Sequence, residues 1–325
     1  LNNIRLSKTK VEEVAVAYIS IVLPFYNEEQ TLPLLISSLR ETMSQVEVGY
    51  ELVLVNDNST DNSVKVIEGL AKRQGRGDIV LVNLSRRFGV EESFVAGLSV
   101  SRGDALVLMY TDLQDPPKVI LEMIKQWRGG AEVVHAIRRK RIGEHPLKKL
   151  AAFLAYRIVA KAASINIPCD AGEFKLLSRN VVQHLLSLPE AEPYLRGLIP
   201  WIGFKQVCVE YDLQPRPVGH SKVALFGKKA WSVFLSGIIS FSDLPVYLIL
   251  FAGVVGIGLS IILGVMDLLS GGTSGIDPLA TLLVFLWATL MLSLGFVGLY
   301  LLKVYKNTVG RPRYIIKEVV KFDEV

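Results

Sequence analysis

The chain has 325 residues, 50% of them hydrophobic, and a formal net charge of +5. That length holds a full α/β domain with apolar sequence to spare, and a charge so modest and so spread argues against a nucleic-acid partner while allowing local attraction to an anionic membrane. Its two cysteines, Cys169 and Cys208, stand in no CxxC and have no His at ligand spacing, so neither a zinc centre nor a disulfide framework is suggested and a reducing, cytoplasmic setting is the simpler inference.

The leading residues LNNIRLSKTKVEE lack the apolar core of a signal peptide, so nothing directs the domain that follows across a membrane. Tyr18 to Leu23 reads as a first strand, running into Pro24-Phe25-Tyr26-Asn27-Glu28-Glu29 and then an amphipathic helix from about Gln30 to Ser44 with Leu32, Leu35, Ile36 and Leu39 on one face. A second apolar strand, Glu51 to Val55, ends in Asn56-Asp57-Asn58-Ser59-Thr60-Asp61. Asp57, just off the strand tip, is the candidate for holding a ribose or base, whereas Ser59, Thr60 and Asp61 read first as helix caps. A third strand, Ile79 to Asn83, leads to Leu84-Ser85-Arg86-Arg87-Phe88-Gly89 and a helix through Ala96 to Val100.

The fourth strand, Ala105 to Met109, delivers Tyr110-Thr111-Asp112-Leu113-Gln114-Asp115-Pro116-Pro117 at its exit. Ligands of open α/β sheets bind beyond the carboxyl ends of the strands. On extended backbone Asp112 and Gln114 project to one side, and two hard oxygen donors there suit Mg²⁺ or Mn²⁺. The alternative is that Asp112 and Asp115 serve the turn and cap the helix that Pro116-Pro117 open and that runs to Trp127. A fifth strand, Glu132 to Ile137, ends in the cation run Arg138-Arg139-Lys140-Arg141, either a solvated face or a phosphate site at a strand's carboxyl end. Lys148, Lys149 and Arg157 on the next helix extend a basic surface toward lipid headgroups. This alternation of strands and helices predicts a doubly wound parallel sheet, and the missing G-x-G-x-x-G after the first strand takes away the main support for a dinucleotide fold.

Asp170 and Glu173 follow in a Gly-containing turn, where either one orients a sugar hydroxyl or caps the helix expected near Ser178. Tyr194 to Phe204, with one Arg, one Trp and two Gly, suits a sugar-contacting loop or an ordinary core turn. Arg216 to Lys222 is a basic segment able to fold over an anionic ligand. Composition then changes: Pro245 to Leu269 has no charge but Asp267, and Leu279 to Leu302 has none, so each reaches the ~20 residues that span hydrocarbon. Lys228 and Lys229 precede the pair and Lys303, Lys306, Arg311 and Arg313 follow it, while Ser270 to Pro278 holds no Lys or Arg. Both flanks are therefore expected in the cytoplasm. The expected layout is a catalytic domain over 1–225, an interfacial helix and linker over 226–244, a two-helix hairpin over 245–303 and a cytoplasmic tail over 304–325. Gly253, Gly256 and Gly258 offer small faces for helix contacts, in a homo-oligomer among other settings.

As an ordered set, VLPFYNEE, VNDNSTD, LSRRFG, TDLQDPP, DAGEFKLLSR, RGLIPWIGFKQ, RPVGHSK, SFSDLP and GRPRYIIKE resemble the family 2 glycosyltransferases of the GT-A fold. More narrowly, they are similar to the polyprenyl-phosphate glycosyltransferases of the dolichol-phosphate mannose synthase and bacterial GtrB type, over nearly the whole length. The resemblance implies an α/β architecture: a GT-A catalytic domain, Rossmann-like with a mostly parallel sheet, plus two C-terminal transmembrane helices in a bacterial plasma membrane. It implies inverting, metal-dependent transfer from a nucleotide sugar, UDP-glucose favoured, to a polyprenyl phosphate, undecaprenyl phosphate favoured. By the same resemblance Pro24, Tyr26, Glu28, Val55, Asp57 and Thr111 hold the nucleotide. Asp112 and Gln114 hold Mg²⁺ or Mn²⁺ on the diphosphate, Arg138, Arg216 and Lys222 meet the donor and acceptor phosphates, and Asp112, Arg138 and Asp170 form the catalytic set. The chain departs from the pattern at Tyr110 and Thr111, where the family writes Asp-Ala, removing one expected carboxylate near the metal. It departs also at Asn56, where the family writes Asp, and at Val90, where it writes Lys. Two rivals are a processive polysaccharide synthase, against which stand the absent Q-x-x-R-W and the few membrane helices, and an inactive membrane scaffold, suggested by Tyr110.

Overall fold

The computed structural model describes residues 16–74, 77–140, 171–214, 244–269 and 278–322. The first half alternates as expected: β1 (Tyr18–Phe25), α1 (Leu32–Met43), β2 (Gly49–Asn56), α2 (Ser63–Gln74), β3 (Ile79–Leu84), α3 (Val90–Val100), β4 (Ala105–Leu108), α4 (Val119–Arg128) and β5 (Val133–Lys140). The second half holds β6 (Ala171–Ser178), α5 (Arg179–Ser187), α6 (Leu195–Ile202), β7 (Gln206–Asp212), α7 (Leu244–Leu269), α8 (Pro278–Val309) and β8 (Ile316–Lys321).

The strands form one sheet in the order β7-β5-β6-β4-β1-β2-β3-β8. β1 pairs in parallel with both β2 and β4, and all of its residues after Tyr18 are buried, which is why YISIVLPF reads as a nearly continuous apolar run. Alternate residues feed two cores: Ile19, Ile21 and Leu23 pack with α1 and α4 on one face, and Val22 packs with α3 and α5 on the other. Successive units step outward from β1 through β2 to β3, and the chain then crosses back to lay β4 on the opposite side of β1. That reversal opens a crevice at the carboxyl ends of β1 and β4, the position where such sheets bind ligands.

Three expectations about the second half are corrected. Residues 171–178 are an antiparallel strand between β4 and β5 rather than a turn, so Glu173 lies inside the sheet. Tyr194 to Phe204 is largely helix, α6, closed by Gly203 in the left-handed region at φ 82°. The stretch from 304 is not a free tail: α8 runs on to Val309, and β8 pairs antiparallel with β3 as the edge of the sheet.

β8 enters with Ile316 opposite Leu84, the last residue of β3, and Ser85 N donates to Ile315 O at 3.0 Å. The end of α8 therefore feeds the carboxyl edge of the parallel strands. A second tie comes from the α5–α6 loop, where Glu192 Oε1 accepts from Lys306 Nζ at 2.6 Å and Ala191 N donates to Asn307 Oδ1 at 3.0 Å. Phe285–Val309 of α8 is long and apolar enough to cross a membrane; in α7 the matching apolar stretch is the shorter Phe251–Leu263. The two helices touch where Gly256 meets the Phe285 ring so closely that a Cβ would not fit between them. The expected interfacial segment up to residue 243 and the loop between the two helices lie outside the described residues.

Candidate active site

The loops after β1 and β2 are knitted to each other by side chains. Asn27 and Asn58 both adopt left-handed backbone, φ 55° and 59°, a conformation that asparagine tolerates. Asn27 Oδ1 accepts from Thr60 N at 2.8 Å, Ser59 Oγ accepts from Asn27 N at 3.0 Å, and Ser63 Oγ accepts from Glu28 N at 2.9 Å. Asp61 Oδ1 accepts from Ser63 N at 3.0 Å, so the capping role expected for it stands. Glu28 and Glu29 face the same junction: the Glu28 carboxylate accepts from Thr31 Oγ1 at 3.0 Å, and that of Glu29 from Asn62 N at 3.0 Å.

Pro24 lies opposite Val55 in the β1–β2 register, and Thr111 Oγ1 reaches Pro24 O at 3.2 Å, so the tips of β1, β2 and β4 meet. Asp57 is buried, and its carboxylate takes the backbone N–H of Phe88 at 2.7 Å and of Gly89 at 3.2 Å, with Arg87 Nε 3.9 Å away. In this structure it shapes the loop after β3. Arg87 in turn lies over the Tyr26 ring, 3.9 Å from its centroid.

The backbone between Asp112 and Gln114 is not extended. Leu113 takes φ 60°, and Asp112 Oδ1 accepts from Gln114 N at 3.2 Å in an Asx-type turn. The two residues thus share a tight loop, and no extended strand sets their side chains to one side. Asp115 is 1% exposed; its Oδ1 accepts from Tyr211 Oη and stands 3.7 Å from Arg138 Nη2, while its Oδ2 is buried with no hydrogen-bond partner among the described residues. Burial pushes the Asp115 carboxyl up, against the pull of Arg138.

β5 runs through the cation cluster, with Arg138 opposite Tyr211 of β7. The strand therefore extends past the expected end at Ile137, and its pleat divides the cations. Arg138 Nε donates to Tyr211 Oη at 3.1 Å on the site's side, whereas Arg139 pairs with Glu210 at 3.0 Å in the open. Gly172 makes room for Arg138, since a Cβ there would come within 3.2 Å of Nη2. The chain leaving β7 also touches the loop of Asp112, through Gln214 N to Gln114 O at 3.0 Å. Asp170, Arg216 and Lys222 lie outside the described residues.

Beside this loop is a buried ionic cluster that sequence reading missed. Glu173, fully buried, accepts from Arg196 Nε at 2.6 Å and lies 3.5 Å from Lys175 Nζ, so it is a structural counter-ion, neither a cap nor a sugar contact. Burial raises the carboxyl of Glu173, but Lys175 and Arg196 outweigh it and hold the group below the usual range. Burial, with Glu173 beside it, pushes Glu91 up to about 8. Tyr110 packs edge-to-face on Phe94 and its hydroxyl bonds Arg196, so it turns into this cluster. The only legible signal was EFKLLS, in which the buried charges Glu173 and Lys175 alternate with the apolar Phe174 and Leu176.

The donors available to a metal are hard oxygens: the Asp112 carboxylate, the Gln114 amide and, next to them, the buried Asp115. No group of three His, Cys, Asp or Glu at metal distance occurs among the described residues. One or two carboxylates completed by substrate phosphates is the usual provision for Mg²⁺, so the residues fit such an ion on a bound diphosphate.

A mostly parallel sheet with this crevice, an acidic-amide loop at the β4 exit and Arg138 beside it are the architecture of a GT-A glycosyltransferase. The family model of glycosyl transferase family 2 matches residues 20–186, and the chain belongs to that family and is a glycosyltransferase. It is similar to an uncharacterized glycosyltransferase of Synechocystis, at 36% identity over 93% of this chain and 95% of that one. The prophage bactoprenol glucosyl transferase homolog of Escherichia coli is 34% identical over 93% and 99% of the two chains, and the bactoprenol glucosyl transferase of Shigella phage SfX 33% over 92% and 98%. Among solved structures, glucosyl-3-phosphoglycerate synthase of Mycobacterium tuberculosis, in complex with Mn²⁺, uridine-diphosphate-glucose and glycerol 3-phosphate, is 21% identical with a TM-score of 0.45, over 69% of this chain and 78% of that one.

Proposed function

We propose that this glycosyltransferase moves glucose from UDP-glucose to a membrane polyprenyl phosphate, undecaprenyl phosphate in a bacterium, giving the polyprenyl-phosphate sugar. The observation that carries this reading is the junction between α8 and the sheet. The apolar helix ends at Val309, and its chain joins β3 at Ile316, on the carboxyl edge that bears Asp112, so a lipid headgroup at the end of the helix meets the crevice. The relatives named bactoprenol glucosyl transferase match over the membrane helices as well as the catalytic domain, which favours single transfer over a processive synthase.

In the reaction a phosphate oxygen of the lipid attacks the anomeric carbon as the bond to the nucleoside diphosphate breaks, with inversion. The attacking oxygen is already ionised near neutral pH, so no strong base is needed; the task is to bring two anions together and neutralise the leaving one. Arg138 meets the acceptor phosphate from the β5 side, with Arg216 and Lys222 as further cations for donor and acceptor. Pro24, Tyr26, Glu28, Val55, Asp57 and Thr111 line the nucleotide end, and Asp170 completes the catalytic set with Asp112 and Arg138. Asp112 and Gln114 would hold Mg²⁺ or Mn²⁺, which would supply charge neutralisation on the departing diphosphate. Both helices span the membrane in this reading, with the catalytic domain and the chain beyond α8 in the cytoplasm.

Purified protein given UDP-glucose, Mg²⁺ or Mn²⁺ and undecaprenyl phosphate in detergent is expected to form a lipid-linked glucose. Donor hydrolysis alone, or a polymer, overturns the reading.

A further inference from the structure

Tyr211 belongs to none of the motifs, yet it touches both halves of the site. It is 5% exposed and sits opposite Arg138 in the parallel β5–β7 register, so the two side chains leave the sheet on one face. Its hydroxyl accepts from Arg138 Nε at 3.1 Å and donates to Asp115 Oδ1. A phenol has one proton to give, and here it goes to the carboxylate, so the lone pair that Arg138 uses is fixed in direction. The ring is held as well, edge-to-face on Phe174 of β6 with centroids 5.7 Å apart and planes at 88°.

We propose that Tyr211 is a positioning residue for Arg138, fixing the guanidinium by its Nε so that its terminal N–H groups are set for the acceptor phosphate before that phosphate arrives. This rests on the reading that Arg138 meets the acceptor. An arginine that must stop rotating to grip an anion loses side-chain entropy at that moment, and one already locked does not. Planar, two-pronged contact with phosphate oxygens also demands an orientation, which a point charge would not. Asp115 contributes the counter-charge: 1% exposed and 3.7 Å from Nη2, it balances the guanidinium when no phosphate is bound. The side chain of Arg138 keeps 24% of its surface exposed, so a ligand reaches it. The chain leaving β7 touches the loop of Asp112 through Gln214, so this segment sets the arginine and the acidic loop in one frame.

Tyr211→Phe keeps the ring and its packing and deletes only the hydroxyl. Steady-state kinetics of the full-length protein in detergent, with undecaprenyl phosphate varied at saturating UDP-glucose, are expected to show KM for the lipid raised roughly tenfold, the worth of one hydrogen bond to a charged group. UDP-glucose affinity by calorimetry is expected to stay near that of the parent, while the melting temperature falls because the buried Asp115 carboxylate loses its hydrogen-bond donor. In an Arg138→Ala background the same change is expected to add nothing, since the effect passes through the arginine. A purely structural role gives a different pattern: donor affinity and lipid KM worsen together, and the loss adds to that of Arg138→Ala. That pattern, or an unchanged lipid KM in Tyr211→Phe while Arg138→Ala raises it, overturns the proposal and leaves the reading of Arg138 intact. An unchanged lipid KM in both variants overturns the reading of Arg138 and the proposal with it.

Discussion

Arg139 Nε pairs with Glu210 Oε2 at 3.0 Å on the open side of the β5–β7 pair, while Arg138, its neighbour in the strand, bonds Tyr211 on the side of Asp115. Two adjacent arginines of one basic run are thereby given different work. Exposed pairs such as Arg139–Glu210 contribute ~0–1 kcal/mol. Arg139→Ala is expected to leave both transfer and donor binding within about twofold, a change of under ~0.5 kcal/mol. Arg138→Ala is expected to lower transfer to lipid far more than it lowers UDP-glucose affinity, because two phosphates ~4 Å apart repel by on the order of 4 kcal/mol per charge pair at an effective dielectric near 20. Calorimetry on the donor beside transfer rates for both variants decides it, and equal small losses would move the acceptor site to Arg216 and Lys222.

At the β4 exit, Asp112→Asn is expected to retain the melting temperature and lose on the order of 10²-fold in transfer, the scale of removing one electrostatic stabiliser. Undiminished turnover at saturating Mg²⁺ and Mn²⁺ removes the residue from the site. Restoring the family's carboxylate by Tyr110→Asp is expected to fail as a repair. The Tyr110 side chain turns to Arg196, near Glu173 and Glu91, so a new carboxylate would join the buried Glu173 and the half-buried Glu91. The expected result is a lower melting temperature with no gain in Mn²⁺ affinity, read by thermal unfolding across a metal titration.

Asp57 holds two backbone N–H groups of the loop after β3 and is buried there. Truncating it leaves those donors without their acceptor, and hydrogen bonds to a charged group are worth ~1.5–3 kcal/mol. Asp57→Ala is expected to lower stability by about that amount in denaturant unfolding and to weaken UDP-glucose binding, because Phe88 and Gly89 lose their anchor. Donor affinity unchanged in a destabilised protein would confine Asp57 to the fold.

Most of the first half of the chain was legible, because there the code is simple: buried parallel strands such as YISIVLPF are apolar throughout, and α1 carries its stripe of Leu32, Leu35, Ile36 and Leu39. The placement of the acidic loop followed from the same alternation. The second half was harder because its strands break that code. β6 carries Glu173 and Lys175 inside the sheet, where the one carboxylate faces both Lys175 and Arg196, and charges at inward positions leave no apolar signature. β8 reads as IKEVVK, a short charged edge strand whose partner lies more than two hundred residues away, so no local pattern announces it. Leu113 is a bulky residue with positive φ, against its own preference, and its turn was invisible for that reason.

The acids of this cluster predict a pH dependence with a definite sign. Glu91 is pushed up to about 8 by burial and by Glu173, from an ordinary value of 4.5. Between those two values the folded protein keeps a proton that the unfolded chain has released, so stability falls as pH rises through the window and levels off above it. Glu91→Gln removes the titrating group and keeps an acceptor for Leu195 N. Its melting temperature relative to the parent is expected to climb from pH 4.5 to about 8. A constant difference across the window would mean that Glu91 is ionised throughout.

The last prediction concerns the end of the chain, where a polar ladder crosses three strands. Asn56 Nδ2 donates to Asn83 Oδ1 at 2.8 Å, and Asn83 Nδ2 donates to Glu318 Oε1 at 2.9 Å, while Asn56 Oδ1 accepts from Ser59 N at 2.8 Å. β8 is therefore joined through β3 to the loop beside Asp57, at the edge where α8 delivers the chain. Glu318→Ala strands the Asn83 amide and is expected to cost ~1–3 kcal/mol if no water replaces the lost acceptor. Removing residues 310–325 goes further, because it bares the hydrogen-bonding edge of β3, and a bare edge recruits other chains. The truncated protein is expected to aggregate and to lose UDP-glucose binding, whereas Glu318→Ala stays monodisperse with weakened donor affinity. Size-exclusion chromatography in detergent with calorimetry on the donor distinguishes the two. A monodisperse truncation with full donor affinity would show that β8 is dispensable to the nucleotide loop, and would leave the Glu192–Lys306 pair as the tie between α8 and the catalytic domain.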